Sequence, residues 1–195
     1  MPAKGDHDAR RRDVSAAVWR VLAAHGFDGL TLRAVAAEMG SSTGLLTHYF
    51  PNKKALVAHA LDLAEERTLQ SRLTPSGQGL AAVRELIADV LPISAVAIEM
   101  NRVWVSSWDA SLADADLGER ETRRYERFRT QRLRPFVEQA RELGELPADA
   151  DVDDVATTLI AFAHGLVVQV LFDPERYPAA RQLALLDGFL TALSV

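Results

Sequence analysis

The sequence has no cysteine. That absence removes disulfide frameworks, thiolate-bound zinc, thiol nucleophiles and thiol redox switches together. It also lacks a P-loop, a dinucleotide-binding glycine motif and a nucleophile elbow, and His59 and His164 have no ligand partner at i+4. Neither an enzyme of those classes nor a cofactor or metal is expected. No strand-period alternation or Asn-Gly hairpin signal occurs, so the expected class is all-α. No apolar run approaches the roughly 20 residues that cross a bilayer, and the stretch MPAKGDHDARRRD lacks the apolar core of a secretory signal. A cytoplasmic chain with no membrane partner is the expectation.

What is present is an ordinary globular composition over 195 residues, 48% hydrophobic and 25% charged, with a net charge of -5. The charge is divided unevenly. Residues 1–54 hold eight of the 22 basic and five of the 27 acidic residues, a head of +3 on a body of -8. A basic head on an acidic body is the asymmetry expected when one end meets a polyanion.

Helical periodicity marks about nine helices. Val14, Ala17, Val18, Val21 and Leu22 define the first, between Asp8 and His25, stopped by Gly26. Thr31 caps a short helix over 32–39, ended by Gly40, and Ser42 or Thr43 caps a third through Phe50. Pro51 precedes a longer helix over 53–72, and TPSGQG at 74–79 is a joint. Further helices are expected over 80–91, 94–112, 117–142, from the aspartates of 149–154 to Phe172, and up to Leu193. The aspartate cluster Asp149, Asp151, Asp153 and Asp154 sits where carboxylates cap a helix and lacks EF-hand spacing, so no metal is assigned to it.

Two short helices joined by a three-residue turn are the skeleton of a helix-turn-helix, and Ala36, Gly40 and Leu46 stand at i, i+4 and i+10. Alanine allows close approach of the helices, glycine the left-handed turn, and the leucine points back to the shared core. Ordinary helix pairs also turn on glycine. The longer stretch TLRAVAAEMGSSTGLLTHYFPNKKAL resembles the signature of the TetR family of transcriptional regulators, continuously from Gly26 to Leu56. Ser41 departs from the valine usual there, and Leu46, Thr47, His48, Tyr49 and Phe50 replace the common Leu-Tyr-x-His-Phe run.

The resemblance implies that the helix from Thr43 to Tyr49 enters the major groove of double-stranded DNA. Thr43 and Thr47 then meet base edges or phosphates, His48 and Tyr49 phosphates, and Gly44 permits close backbone approach. Ser42, Thr31 and Lys53 join them, the last two as phosphate contacts, and Arg33 reaches guanine or phosphate. Tyr49 and Phe50 can instead be core. The implied organisation is a three-helix DNA-binding domain over 1–54 and a ligand-binding and dimerisation domain over 55–195.

In the larger portion, Met100, Trp104 and Trp108 form one i, i+4, i+8 stripe and Tyr125, Phe128 and Arg132 an i, i+3, i+7 stripe on the next helix. These are core packing or the wall of a small-molecule pocket, with Glu99, Asn101 and Arg102 nearby. Aromatic faces beside a carboxylate suit a cationic ligand. Residues 104–195 resemble the C-terminal domain of BetI-type TetR regulators, a portion that varies with the ligand sensed. That resemblance implies a homodimer through the last two helices, assigned to Ala161, Gly165, Val168, Phe172, Leu186 and Leu190. The expected function is a repressor released from a palindromic operator by a small molecule. The alternatives are an activator of the same fold, or a helical ligand-binding protein or enzyme with a vestigial helix-turn-helix.

Overall fold

The structure is a computed structural model and describes residues 4–194, with side chains from Arg10 onward. Residues 1–3 and 195 and the side chains of Lys4, Asp6 and Asp8, counted above in the domain ranges and the head charge, lie outside the described residues. Among the described residues the chain is all-α, without a strand. Its helices are α1 (Lys4–Gly29), α2 (Leu32–Glu38), α3 (Thr43–Thr47), α4 (Lys53–Ser71), α5 (Gly79–Val90) and α6 (Ala95–Ser106). They continue with α7 (Trp108–Ala113), α8 (Ala115–Arg127), α9 (Arg134–Glu142), α10 (Val152–Phe172) and α11 (Ala179–Leu193). A π-helical segment, Phe128–Leu133, joins α8 to α9 without a break. Only Ser107, itself in a helical conformation, separates α6 from α7. The described residues thus hold eleven α-helical spans and one π-helical segment.

The chain divides into two compact units. Unit 1 is Met1–Ser71 with Arg102–Leu117, and unit 2 is Arg72–Asn101 with Gly118–Val195. A boundary at residue 54 therefore falls inside unit 1, because Leu56, Val57, Ala60, Leu61 and Ala64 of α4 are buried and α4 packs on α1.

The core of unit 1 takes Val14, Ala17, Val18, Val21 and Leu22 from α1, the residues whose spacing marks the helix. α1 changes direction at Gly26, with φ 64 and ψ -169, a backbone region open essentially to glycine alone. A Cβ there also meets the Cβ and Oγ of Ser106 at 3.2 and 3.3 Å. The expected helix over 94–112 is two helices. The Ser107 hydroxyl donates to the Trp104 carbonyl at 2.7 Å, competing for the acceptor that a continuing helix uses. Trp108 thus begins α7 and does not share one straight stripe with Trp104.

In unit 2, α5 is tied at its N-terminus by distant side chains: Gln139 accepts the Gly79 N–H at 2.9 Å and Glu145 the Leu80 N–H at 2.7 Å. Glu85 accepts the N–H groups of Ser76 and Gly77 at 2.9 and 3.0 Å, closing the TPSGQG joint. The aspartate cluster acts as a cap: one carboxylate oxygen of Asp151 accepts from the N–H groups of Asp153 and Asp154 at 2.9 and 3.1 Å. α10, 21 residues long, is by length and composition apolar enough to cross a bilayer, which corrects the expectation that no such run exists. Its buried Ala156, Leu159, Ala163, Leu166, Val167 and Val170 serve as a core face, packed on α5 and α9.

The Gly26→Ala variant is expected to lose about 1–3 kcal/mol, the cost of holding alanine in that backbone region. Urea unfolding checks this, and an unchanged midpoint contradicts it.

Candidate functional site

One backbone conformation sets the turn between α2 and α3. Gly40 has φ 59, and the N–H groups of Gly40 and Ser41 reach back to the carbonyls of Ala37 and Ala36 at 3.1 and 2.9 Å. This is the paired hydrogen-bond pattern of a helix that stops on a left-handed residue. A Cβ at Gly40 meets nothing within 4 Å, so the demand for glycine is conformational rather than steric. Ala36 and Leu46 are buried, as their spacing predicts. α3 is shorter than the run to Phe50: the N–H groups of Tyr49 and Phe50 converge on the Leu46 carbonyl at 2.9 and 2.8 Å, and the chain leaves the helix before Pro51.

Thr31, Arg33, Ser42, Thr43, Gly44, Thr47, His48 and Lys53 are exposed, Tyr49 is half-buried and Phe50 buried. Thr31 Oγ1 accepts the Ala34 N–H at 3.0 Å, so the hydroxyl caps α2 and keeps its own proton to donate. Ser42 precedes α3 but its side chain makes no cap bond. The Thr47 hydroxyl donates to the Gly44 carbonyl at 2.8 Å, which leaves its oxygen as an acceptor.

The two lysines that open α4 differ. Lys54 Nζ meets Asp114 at 2.9 Å and Asp116 at 2.5 Å. Hydrogen bonding to Asp116, and next to Asp114, raises its pKa above the ordinary lysine value. Lys53 is exposed and pairs with no carboxylate among the described residues. Sequence analysis missed this division, because the partners lie some 60 residues away. It also missed Asn52, whose Oδ1 accepts the Ala55 N–H at 2.9 Å and caps α4; an Asn just before a helical run is the signal that finds it. His59 bonds Ser15 Oγ through Nε2 at 3.0 Å and lies 5.2 Å from the Phe50 ring, tying α1 and α4 to the end of the α3 turn.

The residues of the two aromatic stripes divide between the units. Trp104, in unit 1, is buried and donates its indole N–H to Thr68 Oγ1 at 3.1 Å; Trp108 belongs to the same unit. Unit 2 holds half-buried Met100, Tyr125, Phe128 and Arg132. Tyr125 lies on α8, whereas Phe128 and Arg132 lie on the π segment. Its wider i→i+5 turn shifts the phase, so these three do not form the single α-helical stripe their spacing implied. The Tyr125 ring meets His164 edge-on at 5.2 Å and carries the Arg124 guanidinium at 4.6 Å. Arg72 stands 5.8 Å from the Phe128 ring, and Arg132 donates from Nη2 to the Leu73 carbonyl. Glu121, 7% exposed, accepts from Arg124 at 2.8 and 3.0 Å. Burial, reinforced by Arg124, lowers the His164 pKa to about 4.

Of the residues assigned to a dimer interface, Ala161 and Gly165 are exposed, Val168 is half-buried and Phe172 is 86% exposed. Leu186 and Leu190 are corrected: both are buried within the chain itself, on the face of α11 that also buries Gln182. α11 has leucines on more than one side and buries a glutamine, so the spacing of its apolar residues does not single out the inward face. The outward face carries Leu185 and Gly188.

A short polar helix held out from a glycine turn, beside an exposed lysine at a helix start, defines the class: a helix-turn-helix DNA-binding protein. Residues 15–60 match the family model described as bacterial regulatory proteins, tetR family. Residues 79–195, more than half of the chain, match that of the BetI-type transcriptional repressor C-terminal domain. The transcriptional regulator PksA of Bacillus subtilis is 27% identical over 90% of this chain and 85% of its own. BetI of Paraburkholderia phymatum is 26% identical over 99% and 97%. A solved regulator from Saccharomonospora viridis, in complex with choline, shares the fold at TM-score 0.81 and 24% identity over 96% and 98%. A Rhodococcus regulator does so at 0.80 and 22% over 93% and 94%. The chain belongs to the TetR family and is a DNA-binding transcriptional regulator with a BetI-type C-terminal domain.

His164 gives this body an acid-sensitive stability. Its folded pKa of about 4 lies below the unfolded value near 6.5, so the folded state resists the proton. Its stability is complete above about pH 6.5 and is lost as pH falls to about 4, by about 3 kcal/mol at most. Denaturation of the wild type and His164→Gln across that range is expected to show a steeper acid loss in the wild type; parallel curves contradict it.

Proposed function

We propose that this chain is a cytoplasmic homodimeric repressor that binds a palindromic operator through α3, is released by a small-molecule effector, and acts by binding rather than by catalysis. The observation that carries the proposal is the exposed polar α3 held on the Gly40 turn, in a chain whose remainder matches a repressor domain. Thr43 reads base edges. Ser42, Thr47, His48 and Tyr49 supply hydrogen bonds, Gly44 admits the backbone, Thr31 and Lys53 take phosphates, and Arg33 takes guanine or phosphate. The choline complex of the S. viridis protein supports small-molecule binding by this fold. Here the effector meets the segment holding Tyr125, Phe128 and Arg132.

Two glycines that their own chain does not require support dimerisation. A Cβ at Gly165 or at Gly188 meets nothing within 4 Å, yet a mid-helix glycine costs about 1 kcal/mol relative to alanine. Close approach of a second α10 and α11 accounts for both. The partner then covers Ala161, Val168 and Phe172 of α10 and Leu185 of α11. Two heads about 34–36 Å apart fit successive major grooves.

Lys53→Ala is expected to weaken binding to all duplexes alike and to reduce the slope of log K against log salt by about one. Lys54→Ala leaves the slope as it is, because that charge is already paired. An unchanged slope in Lys53→Ala removes it from the phosphate contacts. Gly165→Leu, whose Cβ meets nothing within 4 Å in its own chain, is expected to keep the melting temperature and lose the dimer. Operator affinity then falls about 100-fold with the loss of linkage between heads. Dimers persisting at low concentration in sedimentation refute the interface.

A further inference from the structure

We propose that the effector surface of unit 2 takes an organic carboxylate, an apolar body with one anionic head, and that Arg132 receives the head. This rests on the chain being an effector-controlled regulator and names the chemistry of that site.

The first observation is the guanidinium itself. Arg132 spends Nη2 on the Leu73 carbonyl, but its Nε is buried and meets no acceptor among the described residues. A buried donor of a charged group without an acceptor costs stability. An oxygen of a bound anion supplies what is missing, and the forked geometry of guanidinium suits a carboxylate. The residue sits in the π segment Phe128–Leu133, a distortion frequent at functional sites.

The second observation is the charge around it. Arg72 and Arg124 stand over the Phe128 and Tyr125 rings. The nearby carboxylates are engaged: Glu121 holds Arg124 at 2.8 and 3.0 Å, and Asp89 accepts the Leu73 N–H at 3.3 Å. A quaternary ammonium needs bare aromatic faces and an available carboxylate. The rings of Phe128 and Tyr125 carry guanidinium groups instead, so this segment does not offer a cation the bare faces it needs. The half-buried rings of Tyr125 and Phe128 offer apolar contact to the body of the ligand.

The test is titration calorimetry of the full-length protein with sodium octanoate, sodium benzoate and choline chloride. Saturable binding of a carboxylate is expected, and none of choline. Arg132→Gln is expected to weaken it about 10- to 100-fold, the worth of a charge-assisted hydrogen bond. Arg132→Lys, which keeps the charge without the fork, recovers part of the affinity and serves if the glutamine variant melts early. No saturable heat from either carboxylate, choline bound as tightly as they are, or an unchanged affinity in both variants overturns the proposal. Calorimetry needs no DNA. A chain that binds carboxylate but shifts no operator sinks the regulatory function alone, and one that shifts operator but binds no carboxylate sinks this inference alone.

Discussion

A helix of five residues cannot hold itself together, because nucleation costs more than its few internal hydrogen bonds return. α3 is such a helix, and the head of this protein is organised around keeping it in place. Gly40 turns the chain in the left-handed region, Leu46 anchors α3 by complete burial, and the Leu46 carbonyl gathers the N–H groups of Tyr49 and Phe50. Phe50 meets His59 of α4, and His59 meets Ser15 of α1. The polar residues of α3 face outward because its single buried leucine faces in.

The net charge of -5 is an average over parts with different tasks. The basic excess lies at the N-terminal end, and even there the structure spends charge selectively. Lys54 is held by Asp114 and Asp116, while its neighbour Lys53 is exposed. A head with a net charge of only +3 is expected to bind a duplex weakly by itself. In the proposed dimer, two heads joined through α10 and α11 gain the affinity that one lacks. On this account the glycines of those helices are part of the DNA-binding device although they touch no DNA.

Local signals in the sequence carried the head far. The Thr31 cap, the Gly26 and Gly40 stops and the Ala36, Gly40, Leu46 spacing are short-range chemistry, and each appears where its residues place it. Long-range and phase-dependent features did not show. Nothing near Lys54 announces a partner at Asp116. The break at Ser107 rests on one hydroxyl competing for a carbonyl, and the π segment inserts its extra residue in a run whose periodicity reads as one helix. α11 carries leucines on both its inward and its outward faces, so their spacing could not tell the buried Leu186 and Leu190 from the exposed Leu185.

The central claim is that two α3 helices, fixed by a dimeric body, read one duplex together. Selection of bound duplexes from a random pool by the purified full-length protein tests it most directly. The account predicts a palindromic motif whose half-site centres lie about one helical turn apart, 10–10.5 base pairs or a multiple, and a loss of affinity when five base pairs are inserted between them. An unpaired half-site, or a motif indifferent to that insertion, contradicts it.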